Sequence, residues 1–162
     1  MWEKHNGSGF HADRFKRVHE NILHWYRGDW SDVYHDTQYT NDATARTIRT
    51  KGRPTHMGNI GPSSYVTEDG GPRLMRSVQH VRSMHGRAIN PTEKPVPLLE
   101  PLIAYGCPPG GMVFDLFAGS CSTLVAARNL GRKSIGYEIR EEQCETSALR
   151  LSQGVLDFGA TV

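Results

Sequence analysis

Residues 113–123 read VFDLFAGSCST, and residues 134–138 read SIGYE. In the first stretch an apolar run ends in a loop of small residues, and a helical pattern follows over residues 123–130. Gly131 ends that pattern before the second apolar run, which ends in the carboxylate of Glu138. Strand, loop, helix and strand in this order are typical of the nucleotide-binding half of an α/β sheet. Glu138 follows Asp115 by 23 positions, so it is placed to hold ribose hydroxyls.

Composition limits the class of protein. A chain of 162 residues with 37% apolar residues is predicted to form one domain, and 17 glycines with 9 prolines predict much loop. No apolar run is long enough for a membrane span, and the first residues do not resemble a signal peptide. The three cysteines (Cys107, Cys121 and Cys144) include no CxxC pair. We therefore expect free thiols, a cytoplasmic location and no membrane partner.

Charge and histidine placement indicate the kind of partner. Residues 35–90 carry eight Lys or Arg against four acidic residues, a net of +4, whereas residues 91–162 carry six against eight, a net of −2. A basic middle joined to an acidic end fits a protein that approaches DNA with one portion only. All eight histidines precede residue 86 and none has metal-ligand spacing, so we expect no metal site.

Three regions are predicted along the chain. Residues 1–34 contain an aromatic and β-branched stretch at 21–26, which predicts a strand before the turn at 27–29. Residues 35–89 lack periodicity and are predicted to be an irregular segment with little core. Residues 90–162 have regular apolar patterns. Pro95 and Pro97 favour the start of a helix, and a proline at 101, about one turn into it, is tolerated. A last helix is predicted over residues 141–151.

Residues 90–99 (NPTEKPVPLL), 114–120 (FDLFAGS) and 131–138 (GRKSIGYE) resemble the amino-methylating DNA methyltransferases. These enzymes modify adenine N6 or cytosine N4 with S-adenosylmethionine. The order resembles the permuted β-type branch, in which the catalytic half precedes the cofactor half. The resemblance implies a Rossmann-like S-adenosylmethionine-dependent methyltransferase fold, α/β, with an incomplete, mostly parallel sheet and an irregular inserted segment.

The resemblance also implies the domain roles. It is strong over residues 90–152, so residues 90–162 would be the S-adenosylmethionine-binding half. It is fair over residues 1–30, where residues 1–34 would be the remnant of a catalytic-half hairpin. Residues 35–89 would be the target-recognition-like segment. An incomplete sheet of this kind would leave an edge and apolar surface exposed.

The implied cofactor residues lie in three places. Glu138 would bind the ribose. The loop around the methionine moiety would be formed by Asp115, Phe117, Ala118, Gly119 and Ser120, and the other side of that pocket by Thr92, Lys94 and Pro95. A carboxylate and a tight backbone loop suit an ammonium, a carboxylate and a sulfonium. A pyrophosphate loop would need more glycines, so an NAD-type oxidoreductase is the less favoured alternative.

Cys121 departs from the family, which has a second glycine at this position. A Cβ there costs about 1 kcal/mol or more if φ is positive. A catalytic thiol in this chemistry would need a Pro-Cys pair, and no cysteine here follows a proline. Cys121 is therefore interpreted as a substitution that strains the loop. Asn90 also replaces the usual histidine, which is a minor change.

The catalytic tetrapeptide of the family is missing. It consists of Asp, Asn or Ser, two prolines and an aromatic residue, and it holds the flipped base. The one Pro-Pro pair, Pro108-Pro109, is flanked by Cys107 and Gly110 and cannot serve. We expect an inactive C-terminal portion: a truncated product, one half of a split enzyme with a separate N-terminal methyltransferase fragment, or a prophage-type remnant. The alternative is a non-catalytic cofactor- or DNA-binding module.

Double-stranded DNA is the expected partner. The candidates for phosphate contacts are Arg46, Arg49, Lys51 and Arg53, since phosphates supply the non-specific affinity; a solvated loop is the alternative for these four charges. Trp25, Tyr26 and Trp30 are expected to pack in the core of the N-terminal hairpin and not to stack on bases.

Overall fold

The computed structural model describes residues 1–4, 12–50, 56, 58 and 63–153. The elements follow one another as β1 (Trp2–Glu3), β2 (His19–Glu20), a 3₁₀ turn (Trp30–Asp32), β3 (Tyr39–Thr40), β4 (Arg46–Thr50), β5 (Ser63–Thr67), β6 (Arg73–Leu74), β7 (Gln79–His80), α1 (Val96–Gly106), β8 (Met112–Asp115), α2 (Ser122–Asn129), β9 (Lys133–Gly136) and α3 (Glu141–Ser152). Two compact units result, Met1–Asp36 with Ser77–Val162, and Thr37–Arg76. In the described ranges no helix is long and apolar enough to cross a membrane.

The parallel pair β8–β9 is the centre of the first unit. Met112 pairs with Lys133 and Asp115 with Gly136, and α2 connects the two strands. The pairing continues past the strand ends, because the N–H of Tyr137 donates to the carbonyl of Asp115 at 2.9 Å. The predicted strand, loop, helix and strand are confirmed, with the helix beginning at Ser122.

Helix α1 packs against α2 and closes one side of the pair. Pro95 precedes it, and the helix continues through Pro101 as predicted, because a proline near the start removes few hydrogen bonds. The core here consists of the buried residues Ile103, Ala126 and Ala127, and of partly buried neighbours that include Val96, Leu99, Val113 and Leu130. Two alanines on α2 allow the two helices to approach closely.

The opposite face of the parallel pair is open. Met112, Phe114 and Ile135 point to this face and are exposed, Phe114 by 56%. Phe114 contacts Tyr137 edge to face at 5.6 Å between ring centroids. Parallel strands are normally covered on both faces, so this apolar surface agrees with the exposed face expected of an incomplete sheet.

The N-terminal residues form a small mixed sheet in the order β2-β1-β7, with β1 antiparallel to β2 and parallel to β7. Trp2 is its anchor: it is buried, and its Nε1 donates to the carbonyl of Val81 at 2.8 Å. The strand predicted at residues 21–26 is wrong. The strand is His19–Glu20, because β propensity is realised only where a partner strand is available.

The second unit is built from two antiparallel pairs, β3 with β6 and β4 with β5. The segment predicted to be irregular thus contains short strands, and Ala43 is its buried residue among those described. An ion pair between Asp42 and Arg73 joins the ends of the first pair. Residues 77–89 belong instead to the first unit, because β7 pairs with β1.

Candidate functional site

The loop of residues 116–121, called the glycine loop below, follows β8 at its carboxyl end. Its entry is fixed by Asp115, whose Oδ1 accepts the N–H of Phe117 at 3.0 Å. The next amide, that of Ala118, donates to the carbonyl of Tyr137 at 2.8 Å. Phe117 itself is 88% exposed. The glycine loop is therefore held against the residues that follow β9, in the crevice where α/β sheets bind ligands.

Glu138 is the acidic residue that follows β9 in this crevice. Its Oε2 accepts the N–H of Gly119 at 3.0 Å, and its Oε1 accepts the backbone N–H and the Nε of Arg140 at 3.1 and 3.2 Å. The backbone N–H of Arg140 is the main cause that lowers the pKa of Glu138 below its ordinary value, and the Arg140 side chain and the Gly119 N–H add to it. The sequence predicted that Glu138 lies in the same site as the glycine loop, and in the structure its carboxylate contacts the N–H of Gly119.

Gly119 is needed for two reasons. Its φ is +51°, in the left-handed region. A Cβ at this position would also lie 2.8 Å from Nδ2 of Asn90. Asn90 is buried, so the segment before α1 packs directly against the glycine loop.

Cys121 has the backbone conformation that makes its side chain costly. Its φ and ψ are +58° and +28°, and it is the one non-glycine residue with positive φ in the described ranges. A Cβ at this position was expected to be costly if φ were positive, and that condition is met. The side chain is buried, and burial raises the pKa of the thiol against the opposing effect of the Ser147 hydroxyl. A protonated, buried thiol is a poor nucleophile.

The three predicted residues before α1 lie in different surroundings. The N–H and the hydroxyl of Thr92 both donate to Oδ1 of Asn90 at 3.3 Å. Pro95 is buried at the start of α1. Lys94 turns toward the N-terminal sheet, where its Nζ lies 3.0 Å from Oε2 of Glu20. The structure therefore brings this segment to the loop through Asn90, while the Lys94 ammonium is paired elsewhere.

Glu20 forms ion pairs with two lysines, Lys4 and Lys94. Burial acts to raise the pKa of this carboxyl, but hydrogen bonds from Lys4 and Lys94 lower it overall. Both ammonium groups also lie over the Trp2 ring, at 5.0 and 5.8 Å from its centroid. Lys94 thus connects the residues before α1 to the N-terminal sheet.

Comparison with known proteins identifies the family. A family model described as DNA methylase, of the N6/N4 type, matches residues 1–149. The chain belongs to this DNA methylase family. The resemblance to the amino-methylating DNA methyltransferase family is confirmed, and the NAD-type alternative is excluded.

Several members of the DNA methylase family are similar to this chain. It is 46% identical over 141 residues to the putative methylase YubD of Escherichia coli K12, covering 85% of this chain and 59% of YubD. It is 26% identical over 166 residues to the type II methyltransferase M1.MboII of Moraxella bovis, covering 94% of this chain and 61% of that protein. The chain thus spans about three fifths of the length of these relatives. The crystal structure of the M1.HpyAVI–SAM complex matches with a TM-score of 0.45 and 23% identity, over 67% of this chain and 63% of that one.

A polar network beneath the glycine loop of this methylase chain was not predicted from the sequence. Glu93 has a side chain only 1% exposed and forms an ion pair with Nη1 of Arg150 at 3.1 Å. The same Nη1 donates to the carbonyl of Ser120 at 2.8 Å. From a single sequence, Glu93 looks like a solvent-exposed charge between Thr92 and Lys94. Its burial and its ion pair with Arg150 are visible only in the three-dimensional structure.

Two of the four predicted DNA contacts, Arg46 and Arg49, lie on β4. Arg46 and Arg49 are exposed, but they lie three positions apart on a strand and therefore face opposite sides of the β4–β5 hairpin. Lys51 and Arg53 lie outside the described residues. The two described arginines do not form one patch.

The aromatic residues of the N-terminal region do not form the core that was predicted. Trp25 is 85% exposed, so that prediction is wrong for it, because no strand forms at 21–26 to carry it inward. Tyr26 and Trp30 contact each other edge to face at 5.3 Å but are also exposed, so the prediction is wrong for them too. Trp30 also stacks on His35 at 4.5 Å. In the described part of the chain, no group of three or more His, Cys, Asp or Glu could hold a metal ion.

Proposed function

We propose that this chain is the S-adenosylmethionine-binding half of a DNA methyltransferase that acts on adenine N6 or cytosine N4. The observation that carries the proposal is the carboxylate of Glu138, held by the N–H of Gly119 at 3.0 Å at the carboxyl end of a parallel strand pair. Membership of the DNA methylase family, and the names of YubD and M1.MboII as methylase and methyltransferase, support it.

The residues fit the cofactor. Each carboxylate oxygen has two lone pairs, and Oε2 of Glu138 accepts one hydrogen bond, so it can take a ribose hydroxyl. A second hydroxyl would compete with the exposed Arg140 side chain at Oε1, and exposed pairs of this kind contribute little. S-adenosylmethionine would supply the activated methyl group on its sulfonium.

The methionine moiety is assigned to the glycine loop. Asp115 carries the charge that suits an ammonium, and Phe117, Ala118, Gly119 and Ser120 provide a backbone close enough to surround it. Thr92 and Pro95 would form the other side through the contact of Asn90 with Gly119. Lys94 would reach the pocket only by leaving Glu20.

Methyl transfer would need a base-holding motif that these 162 residues lack. We propose that a companion N-terminal methyltransferase segment supplies it and covers the apolar face of Phe114, Ile135 and Tyr137. Without it the chain binds cofactor or DNA without catalysis. Residues 35–89 would contact double-stranded DNA, with Arg46 and Arg49 on phosphates and Lys51 and Arg53 as further candidates. The proposed location is the cytoplasm.

Calorimetric titration of the chain with S-adenosylmethionine tests the cofactor assignment. We expect one site, and an affinity about tenfold lower in Glu138→Ala, since a hydrogen bond to an ionised carboxylate contributes more than a neutral hydrogen bond. Glu142→Ala, on the exposed first turn of α3, is the matched control and should bind as the wild type does. Equal affinities of the two variants would remove Glu138 from the site.

A transfer assay tests the companion. We expect no labelled methyl group on double-stranded DNA with the chain alone. Transfer should appear when the segment of YubD that this chain does not match is co-expressed and co-purified. Transfer by the chain alone would show that another group holds the base, and a failure of the two polypeptides to co-purify would oppose the companion.

A further inference from the structure

Two backbone carbonyls of the glycine loop are held by side chains of α3. The hydroxyl of Ser147 donates to the carbonyl of Gly119 at 2.8 Å, and Nη1 of Arg150 donates to the carbonyl of Ser120 at 2.8 Å. Ser147 and Arg150 lie three positions apart, so they share one face of the helix. The orientation of two successive peptide groups is therefore set from one helix face.

The consequence for the amides follows from peptide geometry. In a trans peptide the N–H points opposite to the preceding carbonyl. Turning the Gly119 carbonyl toward α3 therefore turns the N–H of Ser120 away from α3. Among the described residues no acceptor takes this N–H, whereas the neighbouring amides of Gly119 and Cys121 are bound to Glu138 and to the carbonyl of Ala118.

Glu93 keeps Arg150 in place. Its Oε1 accepts from Nη1 of Arg150 at 3.1 Å, and its Oε2 accepts the N–H of Ile89 at 2.9 Å. The hydroxyl of Ser122 lies 3.4 Å from Oε1. A buried ion pair contributes little net stability compared with apolar side chains of the same volume, so its value here is geometric. It ties the segment before α1, the glycine loop and α3 to one another.

We propose that Ser147, Arg150 and Glu93 are positioning residues that orient the Gly119–Ser120 peptide groups for cofactor binding. The inference rests on the proposed function, because it gives these residues a role toward S-adenosylmethionine. They would act through the backbone of the loop, because Ser147 and Arg150 donate to its carbonyls and Glu93 pairs with Arg150.

Ser147→Ala is the sharpest variant, because it removes one hydroxyl and leaves the helix intact. Ser152→Ala is the matched control: its hydroxyl also donates to a backbone carbonyl, that of Leu149 at 2.9 Å, but it is exposed and lies away from the loop. Arg150→Lys retains the charge and loses the simultaneous contacts with Glu93 and Ser120. All are measured well below their melting temperatures.

Amide chemical shifts of the cofactor-free chain are the first readout. In Ser147→Ala and Arg150→Lys the Gly119 and Ser120 amides should shift, and in Ser152→Ala they should not. Unchanged shifts in the first two variants would overturn the proposal whether or not the chain binds cofactor.

Affinity for S-adenosylmethionine, measured by calorimetry, is the second readout. We expect about three- to tenfold weaker binding in Ser147→Ala, the range for the loss of one hydrogen bond, and no change in Ser152→Ala. If the wild type binds and Ser147→Ala binds equally well, the positioning role is overturned and the proposed function stands. If the wild type does not bind, both are overturned.

Discussion

The side-chain nitrogen of Asn90 lies 2.8 Å from the point that a Cβ on Gly119 would occupy. Asn90 cannot retreat cheaply, because it is buried and its Oδ1 accepts both hydrogen bonds from Thr92. Asn90 thus forms one wall of the glycine loop.

Gly119→Ala should destabilise the chain by more than the cost of placing a side chain on a residue with a left-handed backbone. Gly131 is the matched control, with a φ of +68° and no atom within 4 Å of an added Cβ. We expect Gly131→Ala to lower the free energy of unfolding by about 1 kcal/mol and Gly119→Ala by about 2–3 kcal/mol, since the second adds a steric contact. Urea denaturation measures both. Equal losses would show that Asn90 moves aside freely.

Gly136→Ala should be destabilising through packing. An added Cβ would lie 2.8 Å from the Cβ of Ala118 and 3.0 Å from both methyl groups of Leu124. Overpacking of this kind costs about 1–3 kcal/mol, and the melting temperature should fall accordingly. Gly106→Ala, at the end of α1 with nothing within 4 Å, should leave the melting temperature unchanged or raise it slightly. A similar fall in both variants would contradict the close approach of β9 to α2.

Cys121→Gly should be more stable than Cys121→Ala. Both variants lose the buried thiol, but only alanine retains a Cβ at a φ of +58°. The expected difference in the free energy of unfolding is about 1 kcal/mol, measured by chemical denaturation. We also expect tighter binding of S-adenosylmethionine in Cys121→Gly than in the wild type. A more stable alanine variant would refute the strain.

Acid should weaken the loop through Glu138. The pKa of this carboxyl is lowered in the folded chain, chiefly by the N–H of Arg140. Its contribution to stability is therefore fully present above the unfolded-state pKa and is lost as pH falls through the lower folded-state pKa. Between about pH 6 and about pH 3, the melting temperature of the wild type should fall more than that of Glu138→Gln. Glu145→Gln, exposed on α3, should follow the wild type; parallel curves for wild type and Glu138→Gln would sink this assignment.

The sequence predicted those features that depend on local pattern. Apolar runs, Gly131 and the prolines at the start of α1 predicted β8, α2, β9 and α1. The missing glycine at position 121 indicated where a side chain would be costly if φ were positive. Features that depend on distant partners were not predictable. The aromatic stretch 21–26 has the composition of a strand but no partner strand. Glu93 can be buried as a charge because it pairs with Arg150, which lies 57 positions later on α3.

The two kinds of strand pairing in the first unit imply an order of folding. Met112 and Lys133 of β8–β9 are 21 positions apart, whereas Trp2 and Gln79 of β1–β7 are 77 positions apart. Closing the longer loop costs about 1 kcal/mol more in chain entropy, and contacts of large sequence separation form slowly. During refolding, the amides of β8 and β9 should be protected from solvent exchange before the indole of Trp2 becomes buried. The crevice around Glu138 would then form early, and the N-terminal residues would join it last.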